Sequence, residues 1–391
     1  MKKRICVLTA TRAEYGLLKP LIKKLAIVEE FDVRVAVTGA HLSPEFGLTY
    51  KEIEKDAIPI DEKLQILLSS DTPSAISKSM GLAMIGFADY FVRLAPDMLV
   101  VLGDRYETLA VAAVAMNQRI PIAHLHGGEI TEGAVDDVCR HAITKMSYLH
   151  FTSSEEYRNR VIQLGEHPGR VFNVGAIGVE NILNEKLMTK PELEDAISFK
   201  LDKPFAVVTF HPVTLEDNSS KKQIKALLEA CESHRDMKFI FTKANADAHG
   251  RIINKMIDDY VASNDHAVAF ASLGVSRYLS ALKHSEMIIG NSSSGIIEAP
   301  SFGVPTINIG DRQKGRVQAT SVINCKPTKQ DIEKAISLAL SDSFRAVAKA
   351  TINPYGDGNT SARIVDVMKD YLLNDKVQLK KEFFDVRGRM S

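Results

Sequence analysis

The sequence predicts an α/β protein built from two doubly wound domains with parallel sheets. Short runs rich in Val, Ile and Leu alternate with longer amphipathic stretches along the 391 residues. Uninterrupted apolar runs are typical of strands that are covered by helices on both faces, as in parallel sheets. The runs form two sets of about six, which suits two domains in a chain of this length.

We assign the first set of strands to an N-terminal domain of residues 1–183 and the second set to a C-terminal domain of residues 184–365. The first set is predicted over Arg4–Thr9, Val33–Thr38, Met98–Gly103, Ile120–His126, Tyr148–Thr152 and Val171–Val174. The second set is predicted over Phe205–Phe210, Lys238–Thr242, Ala267–Ala271, Met287–Gly290, Thr306–Ile309 and Ser321–Ile323.

The stretch from Asn184 to Pro204 is polar and has few apolar anchors, so we place the linker between the domains there. A helix is predicted over Asn359–Leu373, with Asn359 or Thr360 as its N-cap. The polar tail that follows this helix is expected to become ordered only by packing on another part of the protein.

Composition and charge exclude several classes of function. Lys plus Arg and Asp plus Glu both number 49, so the chain lacks the basic excess typical of proteins that bind nucleic acid or anionic membranes. No apolar run approaches the roughly 20 residues of a membrane helix, and Ile5–Ala10 is too short for the apolar core of a signal peptide. The four widely spaced cysteines argue against a disulfide framework or a cysteine-based zinc site and fit a reducing cytoplasm.

Ligands of doubly wound sheets bind beyond the carboxyl ends of the strands, so functional residues are expected there. The segment after the first strand contains Arg12, Ala13 and a single glycine, Gly16. Without a GxGxxG pattern it does not resemble a dinucleotide site, which argues against a nicotinamide-dependent enzyme. An arginine at a helix start suits an anionic ligand, and an ordinary surface arginine is the alternative.

A charged pair, Asp104 and Arg105, follows the uninterrupted apolar strand that begins at Met98. Packing explains such a pair poorly. Asp104 is therefore a candidate base, or a group that orients one, and an N-cap aspartate paired with Arg105 is the alternative.

The densest group of titratable side chains lies over 18 residues of the first domain. It comprises His124, His126, Glu129, Asp136, Asp137, Arg140 and His141. We expect His124 and His126 to share one face of a strand. Crowded carboxylates and imidazoles shift one another's pKa values toward neutrality, which favours acid–base chemistry. A His-x-His zinc site is less favoured because no third ligand has a known spacing, and structural histidines at a polar helix start are the remaining alternative.

The second half offers a site for a phosphate-bearing nucleotide. The segment from Gly290 to Glu298 combines hydroxyl groups and glycine between a strand and a predicted helix, an arrangement that suits a diphosphate. Glu298 suits a ribose diol, and a plain serine N-cap is the alternative. Arg312 is the first of three cations within five residues after the next strand, and His211 is held extended by the proline after it. Together the sites indicate a nucleotide-sugar enzyme rather than a dehydrogenase.

The motifs, taken in order, resemble those of the hydrolysing UDP-N-acetylglucosamine 2-epimerases of sialic-acid biosynthesis. The likeness covers nearly the whole chain. It runs through Thr11-Arg12-Ala13-Glu14-Tyr15, Gly103-Asp104-Arg105, His126-Gly127-Gly128-Glu129, Arg140-His141-Ala142-Ile143-Thr144-Lys145, His211-Pro212, Gly290-Asn291-Ser292-Ser293-Ser294-Gly295 and Asn353-Pro354-Tyr355-Gly356-Asp357-Gly358-Asn359.

The resemblance implies a GT-B fold with two Rossmann-like domains, an interdomain cleft and a C-terminal segment, residues 366–391, that completes the N-terminal domain. It also implies a cytoplasmic homodimer that needs no cofactor or metal and binds a UDP-sugar. The reaction it implies is elimination of UDP to a 2-acetamidoglucal, followed by hydration to N-acetylmannosamine. UDP-N,N'-diacetylbacillosamine as the substrate is one alternative, and a GT-B glycosyltransferase is another.

The resemblance also implies roles for individual residues, which we assign at the positions where this chain matches the motifs of the family. The implied catalytic residues are Asp104, His126, Glu129, Asp136, Asp137 and His211. The implied UDP contacts are Arg12, Ala13, Gly16, Arg105, His211, Asn245, Ser292, Ser293, Ser294, Gly295, Glu298 and Arg312. The related animal and non-hydrolysing enzymes have glutamate where this chain has His126, so the role of base falls to either His126 or Glu129.

Overall fold

A computed structural model of the chain describes residues 2–68, 72–130, 135–211, 219–243 and 250–386. The chain divides into two compact units. Unit 1 consists of Met1–Asn181 together with Tyr355–Ser391, and unit 2 consists of Ile182–Pro354.

Unit 1 is a parallel sheet flanked by helices. Its strands are β1 (Lys3–Thr9), β2 (Phe31–Thr38), β3 (Ile60–Leu64), β4 (Met98–Leu102), β5 (Ile122–Leu125), β6 (Leu149–Thr152) and β7 (Val171–Asn173). Its first helices are α1 (Arg12–Ala26), α2 (Tyr50–Lys55), α3 (Pro73–Leu94), α4 (Tyr106–Asn117), α5 (Val135–Met146), α6 (Glu155–Gln163) and α7 (Ile177–Asn184), the last of which runs into unit 2. The strand order is β3-β2-β1-β4-β5-β6-β7. Fully buried strands such as β4 explain the continuous apolar runs of the sequence.

Unit 2 repeats this plan. Its strands are β8 (Phe205–Thr209), β9 (Lys238–Thr242), β10 (Ala267–Phe270), β11 (Met287–Gly290), β12 (Thr306–Ile309) and β13 (Val322–Cys325). Its helices are α8 (Lys190–Ile197), α9 (Ser219–Glu232), α10 (Gly250–Ser263), α11 (Gly274–His284), α12 (Ser293–Ile297), α13 (Lys329–Leu340) and α14 (Asp342–Lys349). The strands pair in parallel in the order β10-β9-β8-β11-β12-β13. The predicted class, two doubly wound α/β units, is confirmed.

The predicted linker is where the structure differs most from the sequence-based assignment. The stretch from Asn184 to Pro204 contains α8, and the side chains of Leu193, Ile197 and Leu201 lie in the core of unit 2. The chain instead leaves unit 1 within α7. Two apolar side chains of α8 and a third just after it anchor this helix in a stretch that is otherwise polar.

The chain returns to unit 1 at Tyr355 and forms α15 (Thr360–Leu373), so the predicted helix is present. Its apolar face, including Ile364, Met368 and Leu372, is buried in the core formed by β1 and α1. The predicted boundary between the C-terminal domain and the last segment, at residues 365 and 366, falls inside α15. The whole of this helix belongs to unit 1.

The tail after α15 packs on unit 1. The ammonium of Lys381 donates to the backbone oxygens of Lys145 and Ser147, at 2.9 and 2.7 Å, and to the buried carboxylate of Glu166 at 3.0 Å. His150 also contacts Glu166, at 3.2 Å. The tail therefore closes over the end of α5, as expected for a polar segment ordered by packing.

Both sheets reverse their strand order beside the first strand, between β1 and β4 in unit 1 and between β8 and β11 in unit 2. Ligands of doubly wound sheets bind at such reversals. Within the part of the chain that the structure describes, no helix is both long and apolar enough to cross a membrane.

Candidate active site

The central feature of unit 1 is a histidine–carboxylate pair at the end of β5. His126 Nδ1 lies 3.2 Å from Glu129 Oε1, and the backbone N–H of Ile177 donates to His126 Nε2 at 3.3 Å. Because Nε2 accepts, the proton of the neutral ring lies on Nδ1 and points to Glu129. The hydroxyl of Ser153 donates to the same carboxylate oxygen at 2.7 Å. Two donors therefore meet one carboxylate oxygen of Glu129 and fix its orientation.

The backbone at His126 is unusual. Its φ is +64°, in the left-handed region that side chains other than glycine seldom adopt. This conformation turns the imidazole out of the strand direction, so that the ring contacts Glu129 and the first residue of α7. Strained backbone of this kind is concentrated at functional sites.

His124 and His126 do not share a face, and the prediction that they do is wrong. The strand ends at Leu125, and His124 is fully buried, with its Nε2 donating to the backbone oxygen of Gly103 at 2.8 Å and its Nδ1 3.2 Å from the Thr144 hydroxyl. Burial lowers the pKa of His124 to about 3. His124 is therefore a neutral, structural residue.

A buried arginine connects Asp104 to Glu129. The guanidinium of Arg140, on α5, pairs with the Asp104 carboxylate through Nη2 and donates to the backbone oxygen of Glu129 through Nη1 at 2.8 Å. Its Nη1 also lies 3.8 Å from Asp137. The structure thus brings together three of the predicted acid–base residues around one cation, which the sequence did not single out for that role.

The remaining residues of α5 lie closer to the surface. Asp137 contacts His141 Nε2 at 3.4 Å, as the i,i+4 spacing predicts, and burial lowers the pKa of His141. Asp136 is exposed in the first turn of the helix.

A second acidic cluster, which the sequence analysis missed, lies beside Asp104. Arg105 donates from Nε and Nη2 to the two carboxylate oxygens of Glu107, each at 3.1 Å, and Glu107 is fully buried. Glu14 accepts from the backbone N–H groups of Ala10 and Thr11 through Oε2, and its Oε1 lies 4.0 Å from Arg105 Nε. Burial raises the pKa of Glu14 to about 7. The capping-box spacing of Thr11 and Glu14 was the available signal.

The predicted UDP contacts of unit 1 lie in the first turns of α1. Arg12 is exposed and pairs with Glu52 at 3.1 Å, Ala13 is exposed, and Gly16 is half-buried. Arg105 is committed to Glu107 in this structure, so only part of its guanidinium faces solvent.

The serine loop of unit 2 (Gly290 to Glu298) begins with a close backbone approach. Gly290 has φ +141°, and a Cβ built there would lie 1.8 Å from the backbone oxygen of Thr209. Ser292 caps α12 by accepting from the N–H of Ser294. The predicted helix is only five residues long, so the half-buried serine hydroxyl groups, rather than a helix dipole, are what this loop offers an anion.

Asn291 joins the other predicted residues of unit 2. Its amide accepts from the backbone N–H of His211 at 2.7 Å and donates to the His211 oxygen at 2.8 Å. Its own backbone oxygen accepts from Arg312 at 3.0 Å and from Gln313 at 2.8 Å. One buried asparagine thus places His211, the serine loop and Arg312 together at the strand reversal. Asn291 lies within the predicted serine segment, but neither it nor Gln313 was among the predicted site residues.

The other predicted positions of the serine loop are half-buried or buried. Ser292, Ser293, Ser294 and Glu298 are half-buried, and Gly295 is buried. Tyr278 donates to the Ser294 hydroxyl at 2.8 Å. Asn245 lies outside the described residues, as does Pro212. In the described ranges, no cluster of three or more His, Cys, Asp or Glu side chains has the arrangement of a metal site.

Comparisons with known proteins agree on one family. The profile described as UDP-N-acetylglucosamine 2-epimerase matches residues 23–369. A GDP/UDP-N,N'-diacetylbacillosamine 2-epimerase (hydrolyzing) from Campylobacter jejuni is 47% identical over 88% of this chain and 89% of its own. Polysialic acid biosynthesis protein P7 from Escherichia coli is 41% identical over 98% of both chains. A UDP-N,N'-diacetylbacillosamine 2-epimerase (hydrolyzing) from Legionella pneumophila is 34% identical over 96% of this chain and 98% of its own.

Solved structures give the same fold. The crystal structure of the UDP-GlcNAc 2-epimerase from Neisseria meningitidis, bound to UDP-GlcNAc, superposes with a TM-score of 0.82 over 94% of this chain and all of its own, at 20% identity. At that identity the likeness establishes the fold alone, and it confirms the predicted GT-B class. The profile match and the three relatives establish more: this chain belongs to the UDP-N-acetylglucosamine 2-epimerase family.

Proposed function

We propose that this protein is a hydrolysing 2-epimerase that converts UDP-N,N'-diacetylbacillosamine and water into UDP and the free 2-epimeric sugar. The observation that carries the reaction type is the His126–Glu129 pair, joined through Arg140 to Asp104. The names of the Campylobacter and Legionella relatives support this sugar, the alternative to UDP-N-acetylglucosamine that the motifs leave open.

The chemistry begins with an elimination. The C2–H bond breaks, its electron pair forms the C1=C2 double bond, and the C1–O bond electrons leave with UDP. The C2 hydrogen lies beside an amide nitrogen rather than a carbonyl, so it is barely acidic, and the departing diphosphate must drive the step. Hydrogen-bond donors that bind the diphosphate more tightly as negative charge develops on it therefore account for much of the rate acceleration. We assign this role to the serine loop and Arg312 of unit 2, with Arg12.

The proton goes to a carboxylate of unit 1. In the proposal, Glu129 is the base, because Ser153 and His126 both contact its carboxyl group and orient it. Water then adds to C1 while a proton returns to C2 on the opposite face, which inverts that carbon. Asp104 directs the water or returns the proton, and Asp136, Asp137 and His211 remain candidates for these steps.

UDP-N-acetylglucosamine is the second candidate substrate, because the family is described by that sugar nucleotide. The glycosyltransferase alternative loses its support, since the chain belongs to an epimerase family. We also propose a cytoplasmic homodimer; sedimentation equilibrium tests its assembly.

Proton NMR of the reaction in heavy water tests the proposal. UDP-N,N'-diacetylbacillosamine, its GDP-linked counterpart and UDP-N-acetylglucosamine are each supplied without an acceptor. We expect free nucleotide and the 2-epimeric sugar, with solvent deuterium at C2, and the highest kcat/KM for UDP-N,N'-diacetylbacillosamine. Binding without turnover, or nucleotide release only when a sugar acceptor is added, would contradict the proposal.

Nucleotide binding is tested separately by calorimetry with UDP. Arg312→Ala is expected to weaken UDP binding about tenfold, the effect of one charge-assisted contact. Lys314→Ala, which removes another exposed cation of the same loop, is the matched control and should leave the affinity within about twofold.

A further inference from the structure

The C-terminal tail, residues 374–386, packs on the carboxyl end of α5. That end leads directly into β6, so it lies at the opposite edge of the sheet from the strand ends that form the candidate site. The reaction derived above uses no residue of the tail. Because α5 runs from one edge of the sheet to the other, it connects the tail with the candidate site.

Lys381 of the tail caps this end of α5. The last carbonyl groups of an α-helix have no partner within the helix, so they need a donor from elsewhere. The ammonium of Lys381 donates to the backbone oxygens of Lys145 and Ser147 and to the buried carboxylate of Glu166, which gives its three N–H groups three acceptors. The side chain of Lys381 is only 22% exposed, and a cation here also suits the negative end of the helix dipole.

Further contacts fix the tail on both sides of this lysine. The Tyr148 hydroxyl donates to the backbone oxygen of Lys376 at 3.1 Å and accepts from the backbone N–H of Gln378 at 3.0 Å. Beyond the lysine, the backbone N–H of Phe384 donates to the backbone oxygen of Gly165 at 3.0 Å. The backbone of the tail is therefore placed before the ammonium makes its contacts, and little ordering cost is left to the cap.

The capped end of α5 is joined to the candidate site through Arg140. This residue lies five positions before Lys145, which is about 7.5 Å along a helix. Within the last turns, the Thr144 hydroxyl donates to the backbone oxygen of Arg140 at 3.0 Å. The side chain of Arg140 is 4% exposed, pairs with Asp104 and donates to the backbone oxygen of Glu129. A shift of the last turn of α5 therefore moves the cation that lies between the two proposed acid–base residues.

We propose that Lys381 is a positioning residue for the reaction: by capping α5, it holds the guanidinium of Arg140 against the proposed acid–base residues. This inference rests on the proposed function and deepens it. Without the ammonium, two backbone oxygens and the buried Glu166 lose a donor, so the last turn of α5 loosens. A misplacement of about 1 Å at the reacting groups lowers the rate by about 100-fold. The phosphate contacts proposed for unit 2 are not touched by this change.

The test uses the full chain with substitutions of the tail lysines. Lys381→Met keeps the length of the side chain but removes its charge and its donors, Lys381→Gln keeps one donor group, and Lys381→Arg keeps the charge. Lys376→Met is the matched control, because Lys376 lies in the same tail but its ammonium pairs with Asp370 of α15 rather than with α5. For each protein we measure kcat and KM with UDP-N,N'-diacetylbacillosamine and UDP-N-acetylglucosamine, UDP affinity by calorimetry, and amide hydrogen exchange of α5.

We expect Lys381→Met to lower kcat by about tenfold or more, with KM and UDP affinity changed less than about twofold and with faster exchange of the α5 amides. Lys381→Gln should lie between this variant and wild type, so it tests the inference even when the methionine variant does not fold. Lys381→Arg should recover kcat to within about threefold of wild type, and Lys376→Met should retain it in full.

Three results would overturn the positioning role and leave the reaction standing. They are a folded Lys381→Met protein with wild-type kcat, a loss of kcat no larger than in Lys376→Met, and a loss spread equally over kcat, KM and UDP affinity, which would show a general loosening of the protein. Wild-type protein that turns over neither UDP-sugar would instead refute the proposed function and, with it, this inference.

Discussion

His126 donates its Nδ1 proton toward Glu129 Oε1 across 3.2 Å, while its other ring nitrogen accepts from the first backbone N–H of α7. One imidazole therefore links the carboxylate that we propose as the base to the start of a helix. The backbone N–H that donates to Nε2 fixes which ring nitrogen carries the proton in the neutral tautomer.

Removing either member of this pair is expected to slow turnover without releasing the nucleotide. Glu129→Gln and His126→Asn should each lower kcat by about 10²- to 10⁴-fold, the contribution of a positioned acid or base. Asparagine is chosen because it tolerates the positive φ at this position. UDP affinity, measured by calorimetry, should change less than twofold. The control is His167→Asn, an exposed histidine of unit 1, and full activity in Glu129→Gln would show that another group is the base.

Glu14 is expected to make the protein less stable as the pH rises. Burial raises the pKa of this carboxyl from about 4.5 to about 7, so the folded state favours the protonated form. The contribution to stability is complete below pH 4.5 and is lost as the pH rises through about 7. At about 1.4 kcal/mol for each pKa unit, the loss is about 3 kcal/mol.

Urea unfolding at several pH values measures this loss. Glu14→Gln keeps an oxygen for the backbone N–H groups of Ala10 and Thr11 but does not ionise, so its unfolding free energy should not fall across this range. Parallel pH profiles for the two proteins would show that Glu14 titrates normally.

Glu166 is expected to behave in the opposite sense. Although burial favours its neutral form, hydrogen bonds from His150, Lys145 and Lys381 lower its pKa to about 2. Its contribution to stability is present above about pH 4.5 and is lost as the pH falls through about 2. Glu166→Gln should reduce the free energy of unfolding at neutral pH by about 3 kcal/mol, because it leaves cations facing a neutral group in a buried site.

The control for this variant is an exposed glutamate of the same unit. Glu155 is 59% exposed and pairs with Arg158, so Glu155→Gln should cost less than about 1 kcal/mol. Equal unfolding free energies for the two variants would show that the contact between Lys381 of the tail and Glu166 does not stabilise the protein.

Gly290 is expected to accept no side chain. A Cβ would meet the Thr209 backbone oxygen, and the backbone angle there is one that other residues rarely adopt. Gly290→Ala should lower the unfolding free energy by about 2 to 3 kcal/mol and weaken UDP binding, since the serine loop must shift. Gly81→Ala is the matched control: the site in α3 is open, and the helix should gain about 1 kcal/mol. A Gly290→Ala protein as stable as Gly81→Ala would contradict this account.

Sequence patterns predicted the sheets well where the strands are buried. They missed β3, because Ile60–Leu64 is an edge strand whose exposed residues are charged, and its apolar content is too low to mark it. They also missed α8, whose anchors are few. In both cases contacts with the rest of the unit, rather than local composition, decide the structure.

The candidate site was predicted in part, for a similar reason. Residues just after strands were identified because a parallel sheet gathers its strand ends at one edge. The separation of His124 from His126 depends on one left-handed backbone angle, which no residue pattern announces at a histidine. The importance of Arg140 and Asn291 depends on distances between segments far apart in the chain, and spacing alone does not carry that information.

The late return of α15 to unit 1 has a consequence for how the protein is made. Every strand of the first sheet leaves the ribosome long before Ile364, Met368 and Leu372, which fill its core. Unit 2, by contrast, is one continuous stretch and is finished sooner. A nascent chain therefore exposes apolar surface of the first sheet until residues 360–373 have been made, and a chain truncated shortly before residue 360 would have all the strands of that sheet yet be prone to aggregation.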